Sequence, residues 1–135
     1  MTAETESVPR ANDSSQTTID ARVGTHLIVE LWNGERLDEA KHIEDVLVRA
    51  CSACGATYLW SHFHDFGDQD GVTGVVILSE SHISIHTWPE YRYAALDLFM
   101  CSNADPHLAV PLLESGFQTS DIRSVEFARG GEACA

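Results

Sequence analysis

The sequence predicts an α+β two-layer sandwich: a mostly antiparallel sheet with helices on one face. Strand-type runs outnumber helical ones, and most follow one another at hairpin distance rather than alternating with helices. Only two stretches carry helical periodicity, and they stand far apart in the chain. The predicted order is β-α-β-β-β-α-β. Helices on one face leave the other to be covered, which points to dimerisation or a ligand cleft.

Met1 to Val23 is Thr, Ser, Glu, Asp and Ala with almost nothing large and apolar, so residues 1–23 read as a flexible tail. Thr25 to Trp32 is a compact β-type run, closed by the turn pair Asn33-Gly34. Apolar residues then recur at Leu37, Ala40, Ile43, Val46, Leu47, Ala50 and Cys54, a helical spacing, with Gly55 where a C-cap belongs. Asp38 and Glu39 near its start suit the helix dipole. Thr57 to Phe66 is aromatic and β-branched enough for a strand, and Gly67 to Gly71 is a loop. Val72 to Ser79, Ile83 to Trp88 and Tyr93 to Cys101 continue as strands, with Pro89 punctuating because proline cannot donate to a ladder. Pro106 to about Ser115 reads as a short helix with proline in its first turn, Ser124 to Phe127 as a weak last strand, and residues 131–135 as a loose end. Residues 24–130 are thus expected to form one domain, as a chain of 135 residues allows.

Composition narrows the function. Eight Lys plus Arg against 21 Asp plus Glu give a formal charge of −13. Neutralising phosphates needs clustered cations, so neither a nucleic acid nor an anionic membrane is an expected partner. No apolar run is long enough to span a bilayer, and no secretory leader is visible, so the expected location is cytoplasmic. Cysteines are then presumed reduced. Cys51-x-x-Cys54 has no second pair at matching spacing, and at the end of a helical pattern the two read as small buried residues rather than half a zinc site. His62 and His64 share a strand face, as do His82 and His86, yet no ligand is locally fixed beside the first pair; no metal is expected. His26, His42 and His107 carry no pattern.

Ser79 to Glu90 reads Ser-Glu-Ser-His-Ile-Ser-Ile-His-Thr-Trp-Pro-Glu, with half its positions reactive or polar. A strand that only built a core would not be written this way. A serine beside a histidine suggests a hydrolase, but the G-x-S-x-G elbow is missing.

This stretch resembles the processing site of the S-adenosylmethionine decarboxylase family, in its small bacterial and archaeal form. The resemblance runs from about Gly24 to Gly130. It is carried by Gly24-x-His-Leu-Ile-Val-Glu30, Gly55-Ala-Thr57, His64-x-Phe66, Gly71-Val-Thr-Gly-Val75, Glu80-Ser-His-Ile-Ser-Ile-His-Thr-Trp-Pro-Glu90 and Tyr93-Ala-Ala-Leu-Asp-Leu-Phe-Met-Cys101.

The resemblance implies a self-cleaving zymogen. The Ser81 hydroxyl attacks the Glu80–Ser81 bond, and elimination leaves fragments 1–80, ending at Glu80, and 81–135, beginning with a pyruvoyl group made from Ser81. That carbonyl forms a Schiff base with the substrate amine and takes up the electrons left when carbon dioxide departs. His86 matches the processing base, Thr73 stands where the family often has serine and offers a hydroxyl for processing, and Cys101 matches the proton donor. Glu90 matches the residue that holds the ribose hydroxyls, Phe66 the ring that stacks on adenine, and Glu30 an acidic site residue that balances the sulfonium. The implied substrate is S-adenosylmethionine, decarboxylated for spermidine synthesis, by a homo-oligomer of at least (αβ)2. Strict strand alternation puts Ser81 and His86 on opposite faces, so a turn or bulge near Ser81 is expected.

The loop Gly67 to Asp70, Arg92 and Ser102 depart from the family pattern and touch the substrate side. A pyruvoyl-dependent ornithine or arginine decarboxylase keeps the cofactor but has no use for Phe66 and Glu90. A non-catalytic regulatory homologue is expected to lose Ser81, His86 or Cys101, and all three are present. A zinc hydrolase built on His62, His64, Cys51 and Cys54 is a distant alternative.

Overall fold

The computed structural model describes residues 22–101 and 103–131. Six strands form a single antiparallel sheet: β1 (Arg22–Trp32), β2 (Tyr58–Asp65), β3 (Val72–Leu78), β4 (Ser81–Trp88), β5 (Tyr93–Cys101) and β6 (Ile122–Gly130). Their order across the sheet is β2-β3-β4-β5-β1-β6. Two helices, α1 (Ala40–Ala53) and α2 (Val110–Phe117), pack together against one face, with a 3-10 turn (Pro106–Ala109) leading into α2. The sandwich predicted from sequence is therefore the one observed. Its order has one strand more than β-α-β-β-β-α-β, because all four runs between the helices form separate strands.

Alternation explains the two faces. Leu27, Val29 and Leu31 of β1, Ile83 and Ile85 of β4, and Leu96, Leu98 and Met100 of β5 are buried under the helices. They meet Ile43, Val46, Leu47 and Ala50 of α1 and Leu113 and Phe117 of α2, all at most 1% exposed. Burying each such side chain contributes about 1.5–3 kcal/mol. The even residues of β1 and β4 and the odd residues of β3 and β5 occupy the opposite, uncovered face. It is neither plainly polar nor plainly apolar: His26, Glu30 and Trp32 stand beside Tyr93, Asp97, Phe99 and Cys101.

Several boundaries differ from the sequence reading. Arg22 and Val23 belong to β1, since the β1–β6 pairing reaches back to Arg22 and Gly130; the rest of the expected tail, and Glu132 to Ala135, lie outside the described residues. α1 begins at Ala40, because Arg36 turns the chain at φ 63° and Glu39, the N-cap, has its carboxylate on Arg36 rather than on a helix amide. Gly55 has φ 82° just past the Cys54 cap, as a C-terminal glycine should. β6 extends well beyond Ser124–Phe127, because pairing with β1 stabilises residues of weak strand propensity. Cys51 and Cys54 are buried in the core, and burial, then the neighbouring Cys51, pushes the Cys54 thiol up to about 12. They behave as small apolar residues. No helix among the described residues is long and apolar enough to cross a membrane.

Candidate active site

The sequence-predicted residues fall into two groups at opposite ends of β4. The first is built on the β3–β4 hairpin. Leu78 and Ser81 pair directly, so Ser79 and Glu80 form a two-residue loop. Glu80 has φ 62°, a left-handed conformation that a residue with a side chain adopts at a cost of order 1 kcal/mol or more. The Ser81 hydroxyl donates to the Ser79 carbonyl at 3.1 Å. From the end of β5, the Cys101 thiol donates to the Glu80 carbonyl at 2.8 Å. Burial and then the Glu80 carboxylate hold that thiol above its ordinary range, so it stays a donor at neutral pH. The peptide bond between Glu80 and Ser81 is thus exposed, strained on its acyl side and hydrogen-bonded at its carbonyl oxygen. Strain and a hydrogen-bonded carbonyl oxygen both favour attack on that carbonyl by a neighbouring hydroxyl.

The second group lies at the far end of β4. A cleft of about 220 Å³ is lined by Phe66, Asp70, Thr73, His86, Trp88 and Glu90. Thr73 faces His86 across the β3–β4 ladder, and its hydroxyl meets His86 Nδ1 at 3.1 Å. Phe66 is 58% exposed and lies edge-on to His64 at 4.4 Å between centroids, leaving ring surface open to a planar ligand. Glu90 follows Trp88 in a short 3-10 turn and is exposed. The cleft is framed by Thr87, the one buried polar side chain among the described residues. Its oxygen accepts from the Val72 amide at 2.9 Å and donates to the Leu37 carbonyl at 2.7 Å. Gly71 runs so close to the Thr87 carbonyl that a Cβ there would come within 2.1 Å of its oxygen, so only glycine fits. Sequence reasoning passed over Thr87; a hydroxyl at a core-facing strand position was the available signal.

Glu30 belongs to neither group. It accepts a hydrogen bond from the Tyr93 hydroxyl on the uncovered face, and burial, then Glu30, pushes that phenol up to about 12. Tyr93 is flanked by Trp32 and Trp88 at 5.8 and 5.5 Å, and Arg123 lies over Trp32 at 5.0 Å.

Ser81 and His86 are not brought together. Of the turn or bulge expected near Ser81, the structure has the turn, the Ser79–Glu80 loop, and no bulge: β4 pairs with β3 and with β5 without a register shift. Five positions of extended strand separate them, about 16 Å, and they keep opposite facing. Between the two groups lies a cluster that sequence reasoning left unassigned. Asp97 Oδ2 accepts from His26 Nε2 at 2.6 Å and from His82 Nε2 at 2.9 Å, and Oδ1 accepts from the Ser84 hydroxyl. Arg129 Nη1 sits 2.7 Å from His26 Nδ1. A guanidinium only donates, so Nδ1 accepts and the proton of His26 is on Nε2, directed at Asp97. Burial alone would raise the Asp97 pKa, but these donors, Ser84 foremost, lower it.

Comparison with known proteins gives one consistent result. The family model for S-adenosylmethionine decarboxylase matches residues 25–130. A protein of Methanococcus maripaludis named S-adenosylmethionine decarboxylase proenzyme is 47% identical over 112 residues, covering 81% of this chain and 91% of that one. One of the same name from Thermotoga maritima is 43% identical over 111 residues, covering 80% and 85%. The crystal structure of the adenosylmethionine decarboxylase of Aquifex aeolicus superposes with a TM-score of 0.72 at 27% identity, covering 85% of this chain and 97% of that one.

Proposed function

The chain belongs to the S-adenosylmethionine decarboxylase family, and from that premise we propose that it is a zymogen that cuts itself between Glu80 and Ser81 and then decarboxylates S-adenosylmethionine for polyamine synthesis. The observation that carries the cleavage is the Glu80 carbonyl, set in a left-handed turn and accepting from Cys101 Sγ at 2.8 Å. Attack by Ser81 Oγ puts negative charge on that oxygen, and the thiol is in place to stabilise it. Transfer of the acyl group from nitrogen to oxygen makes an ester. Removal of the Ser81 α-proton then expels the Glu80 carboxylate, and water replaces the nitrogen as ammonia. Residues 1–80 and 81–135 result, the second with a pyruvoyl terminus.

A base is needed for that proton, and His86 of the same chain stands about 16 Å along the strand, out of reach. We assign the role to His86 of a second copy, whose Thr73 orients it: with Nδ1 donating to Thr73, Nε2 is the free base. Two uncovered sheet faces packed together give a homodimer, (αβ)2 after cleavage, and combine the Ser81–Cys101 end of one chain with the Phe66–Glu90 cleft of the other. The pyruvoyl carbonyl supplies an electron sink for the departing carboxylate's electron pair. The chain's own groups do the rest. Phe66 offers a flat apolar surface to adenine, Glu90 accepts from the ribose hydroxyls, and Cys101 holds the proton delivered to the substrate carbon. Glu30, beside Trp32 and Tyr93, supports a cationic substrate. A charge of −13 suits the protein poorly to nucleic acid or an anionic membrane, and the free thiols of Cys51 and Cys54 suit the cytoplasm.

The test is intact mass spectrometry of the denatured protein. Fragments of 80 and 55 residues are expected, the smaller with a carbonyl terminus, and Ser81→Ala should remain one chain. A wild-type chain that stays whole after long incubation overturns the proposal.

A further inference from the structure

The Asp97 cluster has no part in the reaction described above, yet it grips the residue next to the scissile bond. His82 immediately follows Ser81, and on the uncovered face it pairs across β4 and β5 with Phe99. His26 pairs with Phe99 from the other side, across β1 and β5. Both imidazoles lie against that ring, at 5.4 Å for His26 and 6.1 Å for His82, and both donate to one oxygen of Asp97. Asp97, Phe99 and Cys101 project from β5 at alternate positions on the same face. The carboxylate therefore ties three strands around Phe99, between the first residues of β4 and the proton-donating thiol.

Cleavage changes what holds Ser81. Before it, the residue is tethered by the Ser79–Glu80 loop. Afterwards residue 81 is a chain end, and chain ends fray unless tied down. The nearest side-chain restraint on the new end is the His82–Asp97 hydrogen bond, reinforced two residues on by Ser84.

We infer that Asp97 is a positioning residue: through His82 and Ser84 it keeps the cleaved terminus in register with Cys101, so that the proton lands on the substrate carbon rather than the cofactor carbon. The two outcomes differ in product. Protonation on the substrate carbon, followed by hydrolysis, releases the amine and restores the carbonyl terminus. Protonation on the cofactor carbon leaves the substrate nitrogen there, and hydrolysis then releases an aldehyde and a dead alanine terminus.

This inference rests on the proposed self-cleavage, and the experiment separates the two. Wild type, Asp97→Asn, His82→Phe (which keeps a ring on Phe99 but loses the donor) and a remote control on the exposed side of α1, Lys41→Gln, are purified, and cleavage is scored by intact mass. The cleaved proteins are then compared in two ways: by amide hydrogen exchange at residues 82–84, and by the fraction of 55-residue chains ending in alanine after an equal number of turnovers. Faster exchange and roughly tenfold or more alanine per turnover are expected in both cluster variants, and neither in the control, since small misplacements of reacting groups carry such factors. Wild-type exchange and alanine fractions in either cleaved variant overturn the inference while leaving the zymogen reading intact. Folded variants that both stay uncut also overturn it, because the cluster then acts before cleavage rather than after. A wild-type chain that does not cut itself removes the underlying reading instead.

Discussion

In the proposed scheme one atom of Cys101 serves two reactions. Its thiol donates to the Glu80 carbonyl in the uncut chain, from the end of β5. Because burial and Glu80 raise its pKa, the protonated form persists above the ordinary thiol value of about 8.5. The self-cleavage rate should therefore lose its Cys101 contribution only as pH rises past that range, and Cys101→Ala should cleave roughly tenfold or more slowly at every lower pH. Rates of fragment appearance from pH 6 to 10 check both statements; identical rates in the two proteins would refute them. Cys101 and Ser81 were singled out in the sequence by one short segment and one fixed offset from it, and the structure brings the Cys101 thiol to the carbonyl that precedes Ser81. Asp97 was visible only as an interruption of the apolar run Ala94 to Cys101. What it binds comes from β1 and β4, and pairing partners are not written in the local pattern. Its depressed pKa has a thermodynamic counterpart. The stability Asp97 contributes is present above the unfolded value and is lost as pH falls through the lower folded one.

At the scale of elements, the β3–β4 hairpin does most of the positioning, and its fit depends on glycine. Gly74 lies on the core side of β3 opposite Phe63, whose ring occupies the space a side chain would need; a Cβ would approach it to 2.0 Å. Gly74→Ala should destabilise the fold by about 1–3 kcal/mol, as overpacked sites do, measured as a lower urea midpoint in the uncleavable Ser81→Ala background. An unchanged midpoint would mean that Phe63 swings out freely. Strand existence here was readable from alternation and turn residues. The extent of β1 and β6 was not, because Arg22, Val23 and the residues around Gly130 acquire strand structure only by pairing with each other. The turn or bulge expected near Ser81 takes the form of the Ser79–Glu80 turn, but a turn ahead of Ser81 leaves the β4 ladders unbroken and Ser81 and His86 on opposite faces.

At the scale of the whole molecule, the uncovered face and the distance between the two half-sites point the same way. If each site takes Ser81 and Cys101 from one chain and Thr73, His86, Phe66 and Glu90 from the other, two dead chains should repair each other. Coexpressed Ser81→Ala and His86→Ala chains should form mixed dimers in which only the His86→Ala chain is cut, with activity approaching half that of a wild-type dimer. No cleavage in the mixture, with mixed dimers shown to be present, would place the base within a single chain. The sequence predicted that the second face needs a cover, since a strand pattern shows which residues leave the core. It did not show that the two groups of candidate residues sit at opposite ends of one strand.

The strand order carries one more consequence. After the proposed cleavage β1, β2 and β3 would belong to one fragment and β4, β5 and β6 to the other, yet across the sheet they run β2-β3-β4-β5-β1-β6. Ownership alternates, with β1 threaded between β5 and β6. The fragments are interleaved rather than docked, and neither can leave without opening three ladders. The sheet is woven as one chain, where every pairing is a loop closure within a single molecule. Once cut, the same pairing needs a meeting of two solutes, so its speed depends on concentration. On the proposed cleavage, assembly is thus a unimolecular event that the protein performs once, and activation erases the route back.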